Sequence, residues 1–294
     1  MQHPDLAGKV AVITGGTGGV GYKIAERLAR EGAAVIINGR SEERGEQAVH
    51  QLGALSNRVR FVPGDCRRYA DVTAMVQAAT DLGDRLDILV SAGSEGGVGP
   101  LPFAEMTADQ LEESIRDRMY PRLFTVHAAL PALRQHGGSA VLLTTDAARH
   151  PTVGESVIGA IGAGVILLRD RVATTCAAGG RTCSSTKAGC GAAARVVAKR
   201  ALTKTLGKEL APHQVRVNSV ALTLTSDTPA WDRIFAQPGF QRDLFTKALE
   251  RFPFGRPPTA DEVASVAVFL ASESAKQVTG QTISVNGGLS FGGW

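Results

Sequence analysis

Two hydrophobic patterns alternate along the first ninety residues of the chain. Short, nearly continuous apolar runs, typical of buried strands, occur at Lys9–Thr14, Ala33–Asn38, Val59–Val62 and Leu86–Val90. Between them lie segments with apolar positions at helical spacing, namely Gly19–Glu31, Ser41–Leu52 and Tyr69–Leu82. Strands that alternate with helices of this length predict βαβ units and a parallel sheet.

The same alternation continues to the C-terminal end. Thr107–Gln135 has the pattern of a long helix, in which Pro121 predicts a kink or a break into two helices. Thr259–Ala271 has the pattern of an amphipathic helix. Three further strands are predicted at Ala140–Thr144, Val215–Ala221 and Thr282–Val285. We therefore expect an α/β fold, a doubly wound parallel sheet of about seven strands in three layers, and a single domain over residues 1–294.

Composition excludes several classes of protein. With 44% hydrophobic and 20% charged residues, the chain is too apolar for a disordered tail. It has no run of about 18 apolar residues that would span a membrane, and Met1–Asp5 lacks the apolar core of a signal peptide. Its four cysteines form neither a disulfide framework nor the CxxC spacing of a zinc site, so we expect a cytoplasmic protein without a metal.

The charge pattern bears on the partners of the protein. The net charge is +4, and the 32 basic residues are spread among 28 acidic ones rather than clustered with aromatic residues. This pattern does not favour a nucleic-acid partner, although it gives a mild bias toward anionic ligands. We expect a small-molecule substrate, with no nucleic acid and no membrane as partner.

A glycine cluster joins the first predicted strand to the first predicted helix, in the sequence Thr14-Gly15-Gly16-Thr17-Gly18-Gly19-Val20-Gly21. Glycines there let the chain turn sharply, let the backbone approach a pyrophosphate and let the helix pack closely on the strand. The free N–H groups at the start of the helix then face the phosphates. We interpret the turn as a dinucleotide phosphate site, and a glycine-rich turn without a ligand is the alternative.

The ends of the next strands refine this interpretation. A NAD site usually has an acid about 20 residues beyond the turn, for the ribose 2′-OH. Here the second strand ends at Arg40 without an acid, and a guanidinium suits the 2′-phosphate of NADP(H). A solvent-facing Arg40 is the alternative. Asp65 is placed to reach an adenine amino group, and Ala92 and Gly93 let the backbone pass close to the cofactor.

We therefore favour NADP(H) over NAD(H). The candidate cofactor-binding residues are Gly15, Thr17, Gly19, Val20, Gly21, Arg40, Asp65, Cys66, Ala92 and Gly93.

Together these motifs resemble those of the short-chain dehydrogenase/reductase family, over nearly the whole chain. The family motif TGxxxGxG is matched by Thr14, Gly15, Gly19 and Gly21. Further matches are Asp65, Ser91–Gly93, Lys208–Pro212, Val215–Ala221, Pro253–Pro257 and Thr279–Gly288. The resemblance implies a Rossmann-type fold, an NADP(H)-binding oxidoreductase that acts on a carbonyl or an alcohol, and a homodimer or homotetramer.

The resemblance also implies where the reaction takes place. The family uses a Tyr as proton donor, a Lys that lowers the pKa of that Tyr, a Ser that holds the carbonyl oxygen and an Asn that supports a proton relay. The Ser position falls on Thr145, which keeps a hydroxyl, and the Tyr and Lys positions fall on Ile158 and Gly162. The Asn position falls on Met119, so three of the four groups are missing in this alignment.

A second alignment places Cys183 at the Tyr position and Lys187 at the Lys position. This segment begins 38 residues after Thr145, which is too far unless an insertion intervenes. We predict that insertion at about 169–200 and prefer the first alignment. Lys187 stays a candidate that could fold back over the cofactor.

The candidate catalytic residues are therefore Thr145, Asp146 and Lys187. Asp146 could also act with His150 and Glu155 in an enolisation or a dehydration, and an ordinary polar loop is the alternative.

Arg118 and Arg122 are four residues apart on the long predicted helix. They could bind an acidic substrate or a CoA phosphate, but we interpret them as a solvated face or a subunit contact.

Three functions stay open at this point: an oxidoreductase with an unusual site, a non-catalytic dinucleotide-binding partner or sensor, and a dehydratase or isomerase on the same fold. Residues 225–255 resemble the substrate lid of the family, and their aromatic residues indicate an apolar substrate. Thr145–Arg149 with Gly154 and Glu155 resembles the branch that acts on cyclic acyl-CoA alcohols, so an acyl-CoA-like substrate is included.

Overall fold

One parallel sheet carries the fold in the computed structural model, which describes residues 2–93, 97–166 and 202–290. Its strands are β1 (Val10–Thr14), β2 (Ala34–Gly39), β3 (Val59–Pro63), β4 (Ile88–Ser91), β5 (Gly138–Thr145), β6 (Val215–Leu222) and β7 (Thr282–Val285). They lie in the order β3-β2-β1-β4-β5-β6-β7, and every neighbouring pair is parallel. The predicted seven-stranded parallel sheet is confirmed.

Helices cover both faces of this sheet. They are α1 (Gly19–Arg30), α2 (Glu42–Gln51), α3 (Tyr69–Gly83), α4 (Ala108–His136), α5 (Ser156–Ile166), α6 (Leu202–Leu210), α7 (Pro229–Ala236), α8 (Phe240–Leu249) and α9 (Ala260–Ala271). Each helix and strand predicted from the hydrophobic pattern lies within two residues of its expected bounds. The predicted insertion at 169–200 lies outside the described residues.

The core consists of two layers of side chains, one on each face of the sheet. Ala11 and Ile13 of β1 pack into a cluster with α1 and α9. Val10 and Val12, which point the other way, pack into a cluster with α3 and α4. Because helices cover both faces, every residue of β1 is buried, and this explains its continuous apolar sequence. The three-layer α/β fold is thereby confirmed.

Pro121 does not divide the long helix. α4 is continuous, with Pro121 and Pro131 inside it, and Thr107 and Gln110 form a capping box at its start. The predicted break is therefore wrong. The helix continues because α4 packs on both α3 and α5, and this packing outweighs the single backbone hydrogen bond that a proline removes.

The order of the strands fixes the position of a crevice. β1 pairs with β2 on one side and with β4 on the other, so the chain leaves this strand in opposite directions in successive units. In an open α/β sheet, ligands bind outside the carboxyl ends of the strands at such a switch point. The glycine turn after β1 and the ends of β4 and β5 meet at this edge.

Candidate active site

A cleft of about 1210 Å³ opens at the carboxyl edge of the sheet. All ten candidate cofactor-binding residues line it, namely Gly15, Thr17, Gly19, Val20, Gly21, Arg40, Asp65, Cys66, Ala92 and Gly93. Thr145 and Asp146 line the same cleft, whereas Cys183 and Lys187 lie outside the described residues. The structure thus brings the described candidate residues of both kinds to one cleft.

The turn after β1 has no room for side chains. Gly15 has a φ of +65°, and a Cβ atom there would lie 2.8 Å from the Cα of Gly93. A Cβ at Gly21, in the first turn of α1, would collide with the carbonyl oxygen of Gly15. The Thr14 hydroxyl accepts a hydrogen bond of 3.0 Å from the Gly93 backbone N–H, which ties this turn to the end of β4. Bare backbone therefore faces the cleft at the start of a helix, where an anionic phosphate is favoured.

Cys66 closes the floor of this part of the cleft. A Cβ at Gly93 would lie 2.9 Å from the Sγ of Cys66, so the glycine leaves space for the sulfur. Burial, followed by the nearby Asp65 carboxylate, raises the pKa of the Cys66 thiol to about 11. The side chain is therefore a neutral wall at physiological pH rather than a nucleophile.

Two guanidinium groups lie at the end of the cleft beyond β2. Arg40 follows β2 directly, and Arg44 lies in the first turn of α2, which is capped by the Ser41 side chain. Arg40, Ser41 and Arg44 all line the cleft. Arg44 was not predicted from the sequence. Its place in the first turn after the predicted Ser41 cap could have indicated that it lies near Arg40.

Asp65 belongs to a charged network that the sequence did not reveal. Its carboxylate accepts hydrogen bonds from the Nε and Nη2 of Arg67, and the Nη1 of Arg67 reaches Asp117 of α4 at 3.0 Å. The hydrogen bonds from Arg67 hold the pKa of Asp65 below its usual range. Asp65 is therefore an ionised acceptor, although part of its capacity is already used by Arg67.

The end of β5 differs from the glycine turn in the way it is packed. The Thr145 Oγ1 accepts the Ala147 N–H at 3.1 Å, which holds the hydroxyl oxygen in place. Ile158 and Gly162 of α5 lie on the cleft wall with Thr145. A Cβ at Gly162 would lie 2.6 Å from the Cγ2 of Thr145, so this glycine is what lets α5 approach the end of β5.

Asp146 is occupied by the C-terminal segment of the chain. It is 5% exposed, and its carboxylate accepts hydrogen bonds from the side chains of Ser284, Asn286 and Ser290. These contacts join the end of β5 to β7 and to the segment that follows β7. They make Asp146 an anchor for that segment, in addition to a residue of the cleft wall.

His150 and Glu155 lie on the cleft wall, between β5 and α5. Burial raises the pKa of the Glu155 carboxyl, against the smaller opposing effects of a hydrogen bond from Thr152 and the charge of Arg118. The Nε2 of His150 is buried, and no described residue makes a hydrogen bond to it. Both groups are therefore titratable side chains in contact with the cleft.

Arg118 and Arg122 of α4 are not a solvated face or a subunit contact, and that interpretation is wrong. Arg122 is 6% exposed, and both residues line the cleft. They turn inward because α4 packs along the sheet, and the rotation of the helix about its own axis places the face with Arg118 and Arg122 at the ends of β4 and β5.

Met119, the residue assigned to the family Asn, is not among the residues that line the cleft. Arg118 lines the cleft, whereas the side chain of Met119 extends toward Gly164 of α5, where a Cβ would lie 3.1 Å from its Cε. The neighbouring Tyr120 is 41% exposed and stacks with Phe124. The packing of α4 decides which of its side chains reach the cleft, and the assignment of the family Asn to Met119 stays a prediction.

Comparisons with known proteins agree with this geometry. The family model described as short chain dehydrogenase matches residues 9–199. The chain belongs to the short-chain dehydrogenase/reductase family. A second family model, described as enoyl-(acyl carrier protein) reductase, matches residues 172–290. The predicted family and the Rossmann-type fold are confirmed.

Individual relatives extend over almost the whole chain. An uncharacterised oxidoreductase of Methylorubrum extorquens is 31% identical, over 97% of this chain and 98% of its own length. A 3-oxoacyl-(acyl-carrier-protein) reductase of Aquifex aeolicus is 30% identical, over 97% and 98%. The crystal structure of a short-chain dehydrogenase/reductase from Brucella melitensis, described as a glucose/ribitol dehydrogenase, matches with a TM-score of 0.76 at 26% identity, over 99% of this chain and all of its own.

This chain is therefore an oxidoreductase of the short-chain dehydrogenase/reductase family, and members of this family bind nicotinamide dinucleotides. In the described part of the chain, no helix is both long and apolar enough to cross a membrane.

Proposed function

We propose that this protein is an NADP(H)-dependent oxidoreductase that interconverts a carbonyl and an alcohol in a small molecule. The observation that carries the proposal is the turn after β1, where Gly15 and Gly21 have no room for a Cβ while the backbone faces a large cleft. This is the shape that a pyrophosphate requires. When bound, the nicotinamide would give a hydride to the carbonyl carbon or take one from the alcohol.

The choice of NADP(H) rests on the charged end of the cleft. A 2′-phosphate needs strong donors, and Arg40 and Arg44 both line that end. Forked guanidinium groups suit such a phosphate better than they suit a neutral ribose hydroxyl. We therefore expect NADPH to bind more tightly than NADH.

Thr145 is our candidate for holding the substrate oxygen. Its Oγ1 is the acceptor for the Ala147 N–H, so the hydroxyl hydrogen is left to donate to a carbonyl oxygen in the cleft. Asp146 supports this site by anchoring β7 through Ser284 and the segment after β7 through Asn286.

The proton would come from a group other than the Tyr and Lys that the family uses, because Ile158 and Gly162 occupy those positions in our alignment. Of the carboxyl groups on the described cleft wall, Asp65 and Asp146 are occupied by their donors. Glu155 is buried and has a raised pKa, so it can carry a proton at a higher pH than an ordinary Glu. We propose Glu155 as the group that exchanges a proton with the substrate oxygen.

A homodimer or homotetramer is the assembly we propose. Ile115, Tyr120 and Leu123 leave apolar surface on α4, with 48%, 41% and 39% of each residue exposed. Exposed apolar surface on a long helix favours a subunit contact. Light scattering coupled to size exclusion would give the mass directly, and a monomer at micromolar concentration would contradict this part.

The test of the proposed function starts with binding. NADPH at about 100 times its Kd should stabilise the protein by about 2.7 kcal/mol. The same concentration of NADH should stabilise the protein less. Arg40→Gln combined with Arg44→Gln should weaken NADPH binding by about 10- to 100-fold, as expected for lost hydrogen bonds to a charged group. NADH affinity is the internal control and should stay within about twofold, since NADH lacks the 2′-phosphate.

Turnover is the second part of that test. Reduction of a panel of ketones and aldehydes, followed by the loss of NADPH absorbance, should identify a substrate. NADPH binding without turnover on any of them would favour the non-catalytic alternative. Absence of binding by either nucleotide would overturn the proposal altogether.

A further inference from the structure

Two guanidinium groups of α4 line the cleft, that of the buried Arg122 and that of the half-buried Arg118. Arg118 and Arg122 are one helical turn apart and therefore share a face. Arg122 is 6% exposed and donates hydrogen bonds to the carbonyl oxygens of Leu143, Gly93 and Arg118. Within the described residues, no carboxylate forms an ion pair with either guanidinium. The pair therefore brings positive charge to the cleft that the described protein does not neutralise by direct contact.

Arg118 has an unused donor. Its Nη2 donates to the Val98 carbonyl oxygen, whereas its Nη1 is buried and has no hydrogen-bond partner among the described residues. Burial also lowers the pKa of Arg118, although the guanidinium stays charged at neutral pH. A buried N–H that is left without an acceptor is unfavourable, so this nitrogen is matched to an acceptor that the described residues do not provide.

The acidic groups around Arg118 do not fill that place. Asp117, Glu155 and Glu113 act on Arg118 only through their charge and form no ion pair with it. Asp117 is bound to Arg67 instead, and the raised pKa of Glu155 favours its neutral form. The charge of the pair thus remains available to a ligand in the cleft.

We propose that Arg118, with Arg122 behind it, binds a carboxylate of the substrate, so that the protein acts on oxo acids and hydroxy acids in preference to neutral carbonyl compounds. The identity of the substrate rests on the proposed function, whereas the binding of the anion does not. A carboxylate fits better than a phosphate. On Arg118 the Nη2 already donates to the Val98 carbonyl oxygen, and all three nitrogens of Arg122 donate to carbonyl oxygens, whereas a dianionic phosphate needs several donors.

The experiment compares acids with their neutral esters. The probes are 4-oxocyclohexane-1-carboxylate and 5-oxohexanoate, each with its methyl ester, and the readout is equilibrium binding by calorimetry with and without NADPH. The wild-type protein should bind at least one acid about tenfold or more tightly than its ester, and Arg118→Gln should remove that difference. Arg118→Lys should keep part of the preference, since it keeps the charge but not the fork.

The matched control is Arg116→Gln, at an exposed arginine on the same helix that does not line the cleft. It should leave the preference for the acid unchanged. Equal binding of acid and ester by the wild-type protein, or a preference that survives Arg118→Gln, would overturn the inference. If Arg118→Gln does not fold, the wild-type comparison and Arg118→Lys still decide the matter.

The source of the anion is tested separately. If Arg118 serves the substrate, NADPH affinity should change less than about twofold in Arg118→Gln. A tenfold loss of NADPH affinity, with the preference for acids intact, would assign the guanidinium to a cofactor phosphate and overturn the inference. Failure of NADPH to bind would count against the proposed function only, because the acid–ester comparison is also made without nucleotide.

Discussion

The two sides of the cleft are packed by opposite means. At the turn after β1, the wall is bare backbone, and a Cβ at Gly15 or Gly21 would meet other backbone atoms. At the end of β5, side chains make the wall, and Gly162 packs against the methyl group of Thr145. Backbone atoms cannot shift to make room for an added side chain, whereas small side chains can. The turn after β1 therefore tolerates little substitution, whereas the end of β5 can accept other small side chains.

The largest effect is expected at the rigid side. Gly21→Ala places a Cβ against the Gly15 carbonyl oxygen, so α1 or the turn must shift. Overpacking of about 3 kcal/mol would weaken NADPH binding by about 100-fold. Isothermal calorimetry would measure this loss, with circular dichroism to check that the protein remains folded.

Gly164→Ala is the matched control for that substitution. This substitution also adds one methyl group to a helix, but among the described residues the new Cβ would have only the flexible Cε of Met119 within 4 Å. It should leave NADPH affinity unchanged and stabilise the protein by about 0.5–1 kcal/mol, as expected for Gly to Ala within a helix. Equal effects of the two substitutions would remove the distinction between a rigid and an adaptable side.

The next effect tests the anchor at the end of β5. Asp146→Ala removes the acceptor of three side chains, on Ser284, Asn286 and Ser290. The free energy of unfolding should fall by about 3 kcal/mol, since the donors lose a charged acceptor, while NADPH affinity stays within about threefold. Urea denaturation measures the first quantity and nucleotide titration the second. Ser284→Ala, which removes one donor only, should lose about 1 kcal/mol.

A smaller effect on stability, together with a clear effect on catalysis, is expected at Thr145. Thr145→Val should lower kcat by about 100-fold, because the substrate oxygen loses its donor. The loss of the hydrogen bond to Ala147 should lower stability by about 1 kcal/mol. Thr145→Ser keeps the hydroxyl and should retain most of the activity. Full activity in the Val variant would show that another group holds the oxygen.

The smallest effect is a pH dependence at Glu155. Because burial raises its folded-state pKa, the stability associated with its neutral form is fully present below the unfolded pKa, near 4.5. That stability is lost as the pH rises through the higher folded pKa. The Gln side chain of Glu155→Gln stays neutral at every pH. The melting temperature of this variant should therefore rise relative to that of the wild type as the pH increases from 4 to 8. A difference that is constant over this range would mean that Glu155 ionises as readily in the fold as in the unfolded chain.

The two sides also differ in how well the sequence predicted them. The glycine turn was predicted residue by residue, because its glycines are neighbours in the chain and their spacing alone places them between a strand and a helix. The partners of Asp146 are 138–144 positions away, so no local pattern connects them. Arg118 and Arg122 were assigned to a solvated face or a subunit contact, because their position relative to the sheet also depends on contacts with distant parts of the chain.

The layers, the strands and the glycine turn of this protein follow from local sequence patterns. Hydrophobic periodicity and glycine spacing act over a few residues, and the local backbone responds to them directly. Only the tertiary structure decided that α4 continues through Pro121, that Arg118 rather than Met119 faces the cleft, and that Arg67 occupies Asp65. These features depend on how helices pack against the sheet, and that packing is set by contacts between residues far apart in the chain.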